Sequence, residues 1–205
     1  MAEDEFRIQG AFQCAPVLAK IKASNLLTLE KEDTWQLVRI MENTQLSCEY
    51  LYTITKRSVW LVFWKDELEK ILSSRANRRF LRSLGYREFT LAAVLNRLKQ
   101  RCRAHHEGRI SYPHELGIIL GYPLADVEGF INHKGQNYLC SGYWKVYENA
   151  EGARRLFALY NQARNQAASL ARAGLGFQEL IQVLELQMLL SENCENQTIP
   201  GSVSA

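Results

Sequence analysis

No apolar run in this chain of 205 residues approaches the roughly 20 residues that cross a bilayer, so no membrane span is expected. The first residues, Met1-Ala2-Glu3-Asp4-Glu5, are acidic where a secretory leader is basic, and a cytoplasmic protein is the reading that follows. Paired cysteine spacing is missing too. Cys14, Cys48, Cys102, Cys140 and Cys194 are odd in number and scattered, which suits reduced thiols and argues against a disulfide framework. The chain has no Walker-type loop and no dinucleotide glycine fingerprint, so nucleotide binding through either device has no support. It also lacks an internal repeat, a low-complexity block and a helix-turn-helix.

What is present is ample apolar material, 47% of residues, in patterns of two periods. Cys48 to Ile54 alternates, and Val59 to Trp64 is a continuous apolar run, so the two read as a hairpin whose second strand is buried on both faces. Tyr138 to Tyr147 alternates as a third strand, with Gly142 marking a bulge or a close backbone approach. Helices surround these strands. Pro16 to Lys22 reads as a short first helix with Cys14 just ahead of it. Thr28 or Asp33 can cap a second helix that reaches about Gln45 and turns Trp35, Val38 and Met41 inward. Asp66 opens another, continued or restarted after Ser73-Ser74 and stopped by Gly85. Thr90 caps the clearest amphipathic helix, with Leu91, Val94, Leu95, Leu98 and Cys102 on one stripe. Asn149 opens a long helix that Gly174 ends, and Phe177 to Met188 supplies the apolar face of a last one. The order does not repeat as strand-helix-strand units, so the expected class is α+β: a small antiparallel sheet of about three strands covered by several helices. The expected organisation is a flexible N-terminus over 1–11, a single α+β domain over 12–190 and a disordered tail over 191–205.

The densest stretch runs from Pro113 to Tyr147. Pro113 suits a first helical position, Gly121 and Pro123 stop that helix, and Leu124, Val127, Phe130 and Ile131 recur at helical spacing after it. Pro113-His114-Glu115-Leu116-Gly117, then Leu120-Gly121-Tyr122-Pro123 with Asp126-Val127, then Gly142-Tyr143-Trp144-Lys145-Val146-Tyr147 closely resemble the bacterial family known as domain of unknown function 3793. Cys14-Ala15-Pro16, leading into Leu18, Lys22 and Asn25, is similar to the same family, although Val17 and Lys20 stand where the resemblance calls for Thr and Gly. The likeness extends over roughly Phe12 to Leu190. It implies a soluble protein of anaerobic bacteria and carries over no activity, cofactor or catalytic residue.

The residues themselves suggest two functions of different classes. In the leading one, Cys14 and His114 both sit at helix N-termini, where the dipole stabilises a thiolate and a neutral imidazole. If folding joins them, His114 can deprotonate Cys14 for acyl or amide transfer. Glu115, Asp126 or Asn25 would then orient the imidazole, and Lys22 or Lys145 would steady a developing anion. The simpler alternative makes Cys14 core and His114 a packing or capping residue. The second function is a noncatalytic module that binds an anionic partner or another protein. Between Arg75 and Arg109 lie ten Lys/Arg against two Asp/Glu, +8 locally in a chain of net +3. Phosphate groups, and among them nucleic acid, suit these arginines, while a merely solvated or protein-contacting face is the simpler reading. Tyr138, Tyr143, Trp144 and Tyr147 can line a pocket for a planar ligand such as flavin or haem, although strand aromatics more often pack under helices. Cys102, His105 and His106 do not have the spacing of a zinc finger or ribbon, so no metal is assigned.

Overall fold

The computed structural model describes the backbone of residues 3–196 and the side chains of residues 3–187. At its centre is a three-stranded antiparallel sheet in the order β1-β3-β2, built from β1 (Ser24–Glu30), β2 (Ser47–Ile54) and β3 (Arg57–Phe63). β2 and β3 form the expected hairpin through Thr55-Lys56, with Thr55 in the left-handed region at φ +52°. β3 is central, and its side chains alternate between two cores: Trp60 and Val62 face one, Leu61 and Phe63 the other. That two-sided burial explains why its sequence is continuously apolar. A register shift between Tyr50 and Tyr52 leaves Leu51 as the extra residue of a bulge, and its side chain is buried in the second core.

One face of the sheet is covered by α1 (Glu3–Leu18), α2 (Thr34–Glu42), α8 (Ala150–Arg172) and α9 (Phe177–Asn196). The other is covered by α3 (Lys65–Ser73), α4 (Arg75–Ser83), α5 (Leu91–His106) and the single turn α6 (Leu116–Ile119). α7 (Leu124–Asn132) and a two-residue hairpin of β4 (Cys140–Ser141) and β5 (Lys145–Val146) complete the chain. The fold is α+β, with a small antiparallel sheet between layers of helices. No described helix is long and apolar enough to cross a membrane.

Several boundaries differ from the sequence reading, each for a tertiary reason. The segment expected to be flexible over 1–11 is helical from Glu3, because Phe6, Ala11 and Cys14 give α1 an apolar face that packs on α8 and α9. Cys14-Ala15-Pro16 therefore ends a helix instead of starting one. The Pro16 carbonyl accepts the N–H groups of Ile21 and Lys22 as the chain leaves the helix. Lys20, standing where glycine would suit the resemblance, takes the left-handed conformation at φ +57° that glycine adopts more easily. Thr28 is in β1 and caps nothing. β1 alternates Leu27 and Leu29 inward against Thr28 and Glu30, a seven-residue pattern hidden by the helical run after it. α2 is shorter than expected and buries Gln36, Leu37 and Met41, leaving Trp35 56% exposed. The expected third strand over 138–147 is two short strands, because the chain reverses at Gly142-Tyr143-Trp144. A Cβ on Gly142 would stand 2.3 Å from the Phe157 ring, the close approach that its glycine suggested. The expected tail begins inside α9, which continues the helix through Ser191–Asn196; the side chains of Met188 and Cys194 and residues 197–205 lie outside the described residues.

Candidate functional site

β1 is an edge strand, and beside it α6, α7 and the β4–β5 hairpin enclose a cavity of about 450 Å³. Leu26 of β1, Leu116 and Leu120 around α6, and Val127 and Phe130 of α7 form its aliphatic and aromatic wall. Tyr122 and Trp144 add a stacked pair, ring centroids 4.8 Å apart and nearly parallel. The polar groups at the wall are few: Tyr112, His114, Ser141, Lys145 and Asp126.

Asp126 is committed to the architecture. Its Oδ2 accepts the indole N–H of Trp144 at 2.7 Å, and its Oδ1 accepts the backbone N–H groups of Tyr147 at 2.7 Å and Glu148 at 3.2 Å. One carboxylate thus fastens the hairpin to α7 and fixes the indole against Tyr122. Glu115, expected to orient His114, is fully buried and engaged elsewhere: Arg101 Nε donates to it, and Tyr86 donates its hydroxyl at 3.2 Å. That ion pair holds the chain between His114 and Leu116, both cavity residues. Ser24 supplies a further tie, its hydroxyl donating to the Ile119 carbonyl at 2.7 Å, so β1 and α6 keep the mouth of the site together.

His114 lies in the turn before α6, in ring contact with Tyr112 at 5.5 Å and Phe130 at 5.4 Å. Burial pushes its pKa below the ordinary imidazole value, against the pull of Glu115, so the ring is neutral at pH 7. Lys145 donates to the Gly135 carbonyl at 2.7 Å and stands 4.7 Å from the centre of the Tyr138 ring, leaving further N–H bonds on its ammonium. Tyr143 hydrogen-bonds Asn161 through its hydroxyl at 3.0 Å and packs on Tyr160, while Tyr147 stacks on His133; neither lines the cavity.

Cys14 is placed apart from this constellation. It is fully buried in the core between α1, β1, α8 and α9, is not among the residues lining the cavity that holds His114, and burial pushes its thiol up to about 12. Its position in the second half of α1 removes the dipole stabilisation expected at an N-terminus. An activated thiol needs the reverse on both counts. Cys14, Cys48, Cys102 and Cys140 are free thiols, and among the described residues no cluster of three His, Cys, Asp or Glu side chains is placed to hold a metal ion. His105 instead contacts the Ile110 carbonyl, and His106 packs on Tyr52.

Lys22 is the functional-looking group nearest Cys14. It is 6% exposed, donates to Asn25 Oδ1 at 2.7 Å and sits 5.5 Å from the centre of the Tyr122 ring, whose edge reaches the cavity. Asn25 is held in turn by donating to the carbonyls of Gln13 and Leu26. No carboxylate neutralises this ammonium among the described residues, and burial lowers its pKa to about 8. The unfolded chain holds the lysine proton up to the ordinary value of 10.5, so unfolding takes up a proton between about pH 8 and 10.5 and stability rises with pH across that window. Cys14 acts in the opposite sense from pH 9 to about 12, because the unfolded thiol ionises first. The net gain is therefore confined to pH 8–9. Lys22→Met, of similar volume and uncharged, is expected to raise stability at pH 7 by about 2 kcal/mol and to abolish the gain from pH 8 to 9. Urea midpoints at the three pH values check this; an unchanged or lower midpoint at pH 7 would contradict the uncompensated charge.

Sequence reasoning named His114, Asp126, Trp144 and Lys145 near this site but missed Leu26, Tyr112, Tyr122 and Phe130. Tyr122 had a local signal, an aromatic residue inside a glycine-proline break, and Phe130 fell on the apolar period of the helix after it, but nothing local ties them to β1. No curated protein and no solved structure matches the chain. The model described as Protein of unknown function (DUF3793) matches residues 11–181, and the chain belongs to that family.

Proposed function

We propose that the protein binds a small planar molecule carrying an acidic group, held in the cavity beside β1. The observation that carries this reading is the chemistry of the lining: an apolar and aromatic cavity of about 450 Å³ whose polar groups are His114, Ser141, Tyr112 and Lys145, the last with N–H bonds left beyond the one to Gly135. The volume lies within the roughly 300–1,000 Å³ of small-molecule sites. Both Asp126 oxygens receive hydrogen bonds, and these three N–H donors offset part of the negative charge that the carboxylate keeps. A flat ring would lie against the Tyr122 and Trp144 wall, and its carboxylate or phosphate would face the Lys145 ammonium. The acyl-transfer reading would need the Cys14 thiol to reach this cavity, and its complete burial favours the core role instead.

Trp144 makes the site self-reporting. Titration of aromatic carboxylates and flavin mononucleotide, followed by tryptophan emission, is expected to show saturable quenching that Lys145→Met weakens about tenfold or more, the loss of one charge-assisted contact. Because His114 is neutral at pH 7 with a lowered pKa, it gains charge only below the ordinary imidazole pKa of 6.5. Affinity for the anion should therefore rise as pH falls below about 6.5, and His114→Ala should flatten that profile. No quenching by any compound, or equal binding by Lys145→Met, would sink the proposal.

A further inference from the structure

The second feature of the surface is a set of arginines on α4 and α5, in the helical layer that also contains α6. Arg75, Arg78, Arg79 and Arg82 of α4 line one surface cleft of about 410 Å³, and Arg97, Lys99, Arg101, Arg103 and Arg109 of α5 and the loop after it line a second of about 690 Å³. No carboxylate lines either cleft. Arg97 of the second cleft reaches toward the end of α4, its guanidinium lying 3.3 Å from the Cβ position of Gly85. Several of these cations are already used: Arg101 by Glu115, Arg109 by Glu107 and Lys99 by Glu49. Arg75, Arg79, Arg82 and Arg103 are exposed and form no ion pair among the described residues. Two of the α4 guanidinium groups are held in place: Arg78 and Arg82 lie 5.5 and 4.9 Å from the centre of the Phe89 ring, and Arg78 donates to the Leu72 carbonyl. Glu88 is the one acid of the intervening loop.

We propose that this set of arginines binds the phosphate backbone of a nucleic acid strand, independently of the cavity beside β1. A single phosphate would need one convergent pocket, whereas two basic clefts on neighbouring elements suit a polymer of phosphates in sequence. Arginine forks match phosphate oxygens, and contacts to the backbone carry no sequence information directly. The rest of the chain, net negative, keeps the polyanion to this face.

The test is fluorescence anisotropy of a labelled oligonucleotide of about 20 nucleotides with the full chain. Four backbone contacts to a single strand predict an affinity loss of about 50-fold between ~50 and ~200 mM salt. Replacing Arg75, Arg79, Arg82 and Arg103 by Gln, all exposed and outside the ion pairs, should abolish most binding while leaving circular dichroism unchanged and lowering the urea midpoint by no more than the loss of the Arg82 contact with Phe89. RNA and DNA strands are run in parallel; binding to either supports the proposal, and their ratio shows whether the 2′-hydroxyl contributes. Absence of binding at ~50 mM salt, equal binding by the quadruple variant, or binding to polyglutamate or anionic vesicles but not to oligonucleotides would each overturn it.

Discussion

Arg101→Met is expected to lower stability by about 3–5 kcal/mol, the usual result of stranding one member of a buried ion pair. Glu115 is 0% exposed, and Arg101 supplies its Nε and a second, longer contact from Nη2 at 3.5 Å. Without the guanidinium the carboxylate keeps the Tyr86 hydroxyl as its remaining side-chain donor, in a core of Leu116, Ile119, Cys102 and Leu98. It must then take a proton to stay buried. The variant should therefore lose stability as pH rises above about 4.3, because its folded state binds a proton that the unfolded glutamate has released. Replacing both partners, Arg101→Met with Glu115→Leu, should recover most of the loss, since the penalty belongs to the unpaired charge. Urea denaturation followed by tryptophan emission measures all three proteins. A single-variant loss below about 1 kcal/mol would show that the pair is solvated and that it does not fix the chain at His114.

Asp126→Ala should produce a comparable loss of about 3–5 kcal/mol, concentrated in one region. The change strands the buried Trp144 indole N–H, at a cost of about 1–3 kcal/mol, and removes the acceptor of the half-buried Tyr147 and Glu148 backbone N–H bonds. β4 and β5 pair over only two residues each, too few to hold the hairpin without this clamp. The expected signature is a red shift of tryptophan emission and loss of the planar-ligand site. The far-ultraviolet signal of α1, α5 and α8 should change little. Asp126→Asn makes the comparison sharper: its carbonyl can still accept the two backbone N–H groups, while its amide meets the indole N–H donor to donor, so an intermediate loss is expected. If Asp126→Ala leaves the emission of Trp144 unchanged, the carboxylate is not what positions the wall of the cavity.

Much of the fold was readable because it rests on contacts between near neighbours in the chain. The α5 stripe from Val94 to Cys102 follows a Thr90 cap whose hydroxyl accepts the Ala93 N–H, and both belong to one helical turn or the next. The same holds for the β2–β3 hairpin, for Asn149 accepting the Gly152 N–H at the start of α8, and for Gly85 and Gly174 in positive φ where their helices end. β1 was missed because an edge strand of seven residues with modest alternation is shorter than the helical pattern beginning at Thr34. Its identity depends on pairing with β3, from Glu30 opposite Arg57 to Ser24 opposite Phe63, with α2 and β2 lying between them in the chain.

The candidate site divides along the same line. Local chemistry marks His114, Asp126, Trp144 and Lys145 as polar or aromatic residues in a stretch of turns and short elements, and that much is legible one residue at a time. Whether a thiol is reactive or inert is not a local property: Cys14 owes its raised pKa to the helices and strand packed around it, and Lys22 its lowered one to the same burial. Glu115 and Arg101, assigned from sequence to an imidazole and to an anionic surface, neutralise each other because α5 passes beside the turn before α6. The cavity joins Leu26 to Lys145 across more than a hundred residues. Helix caps and apolar periods are set by interactions within one or two turns, whereas enclosure, desolvation and the pairing of charges arise only when distant segments pack together.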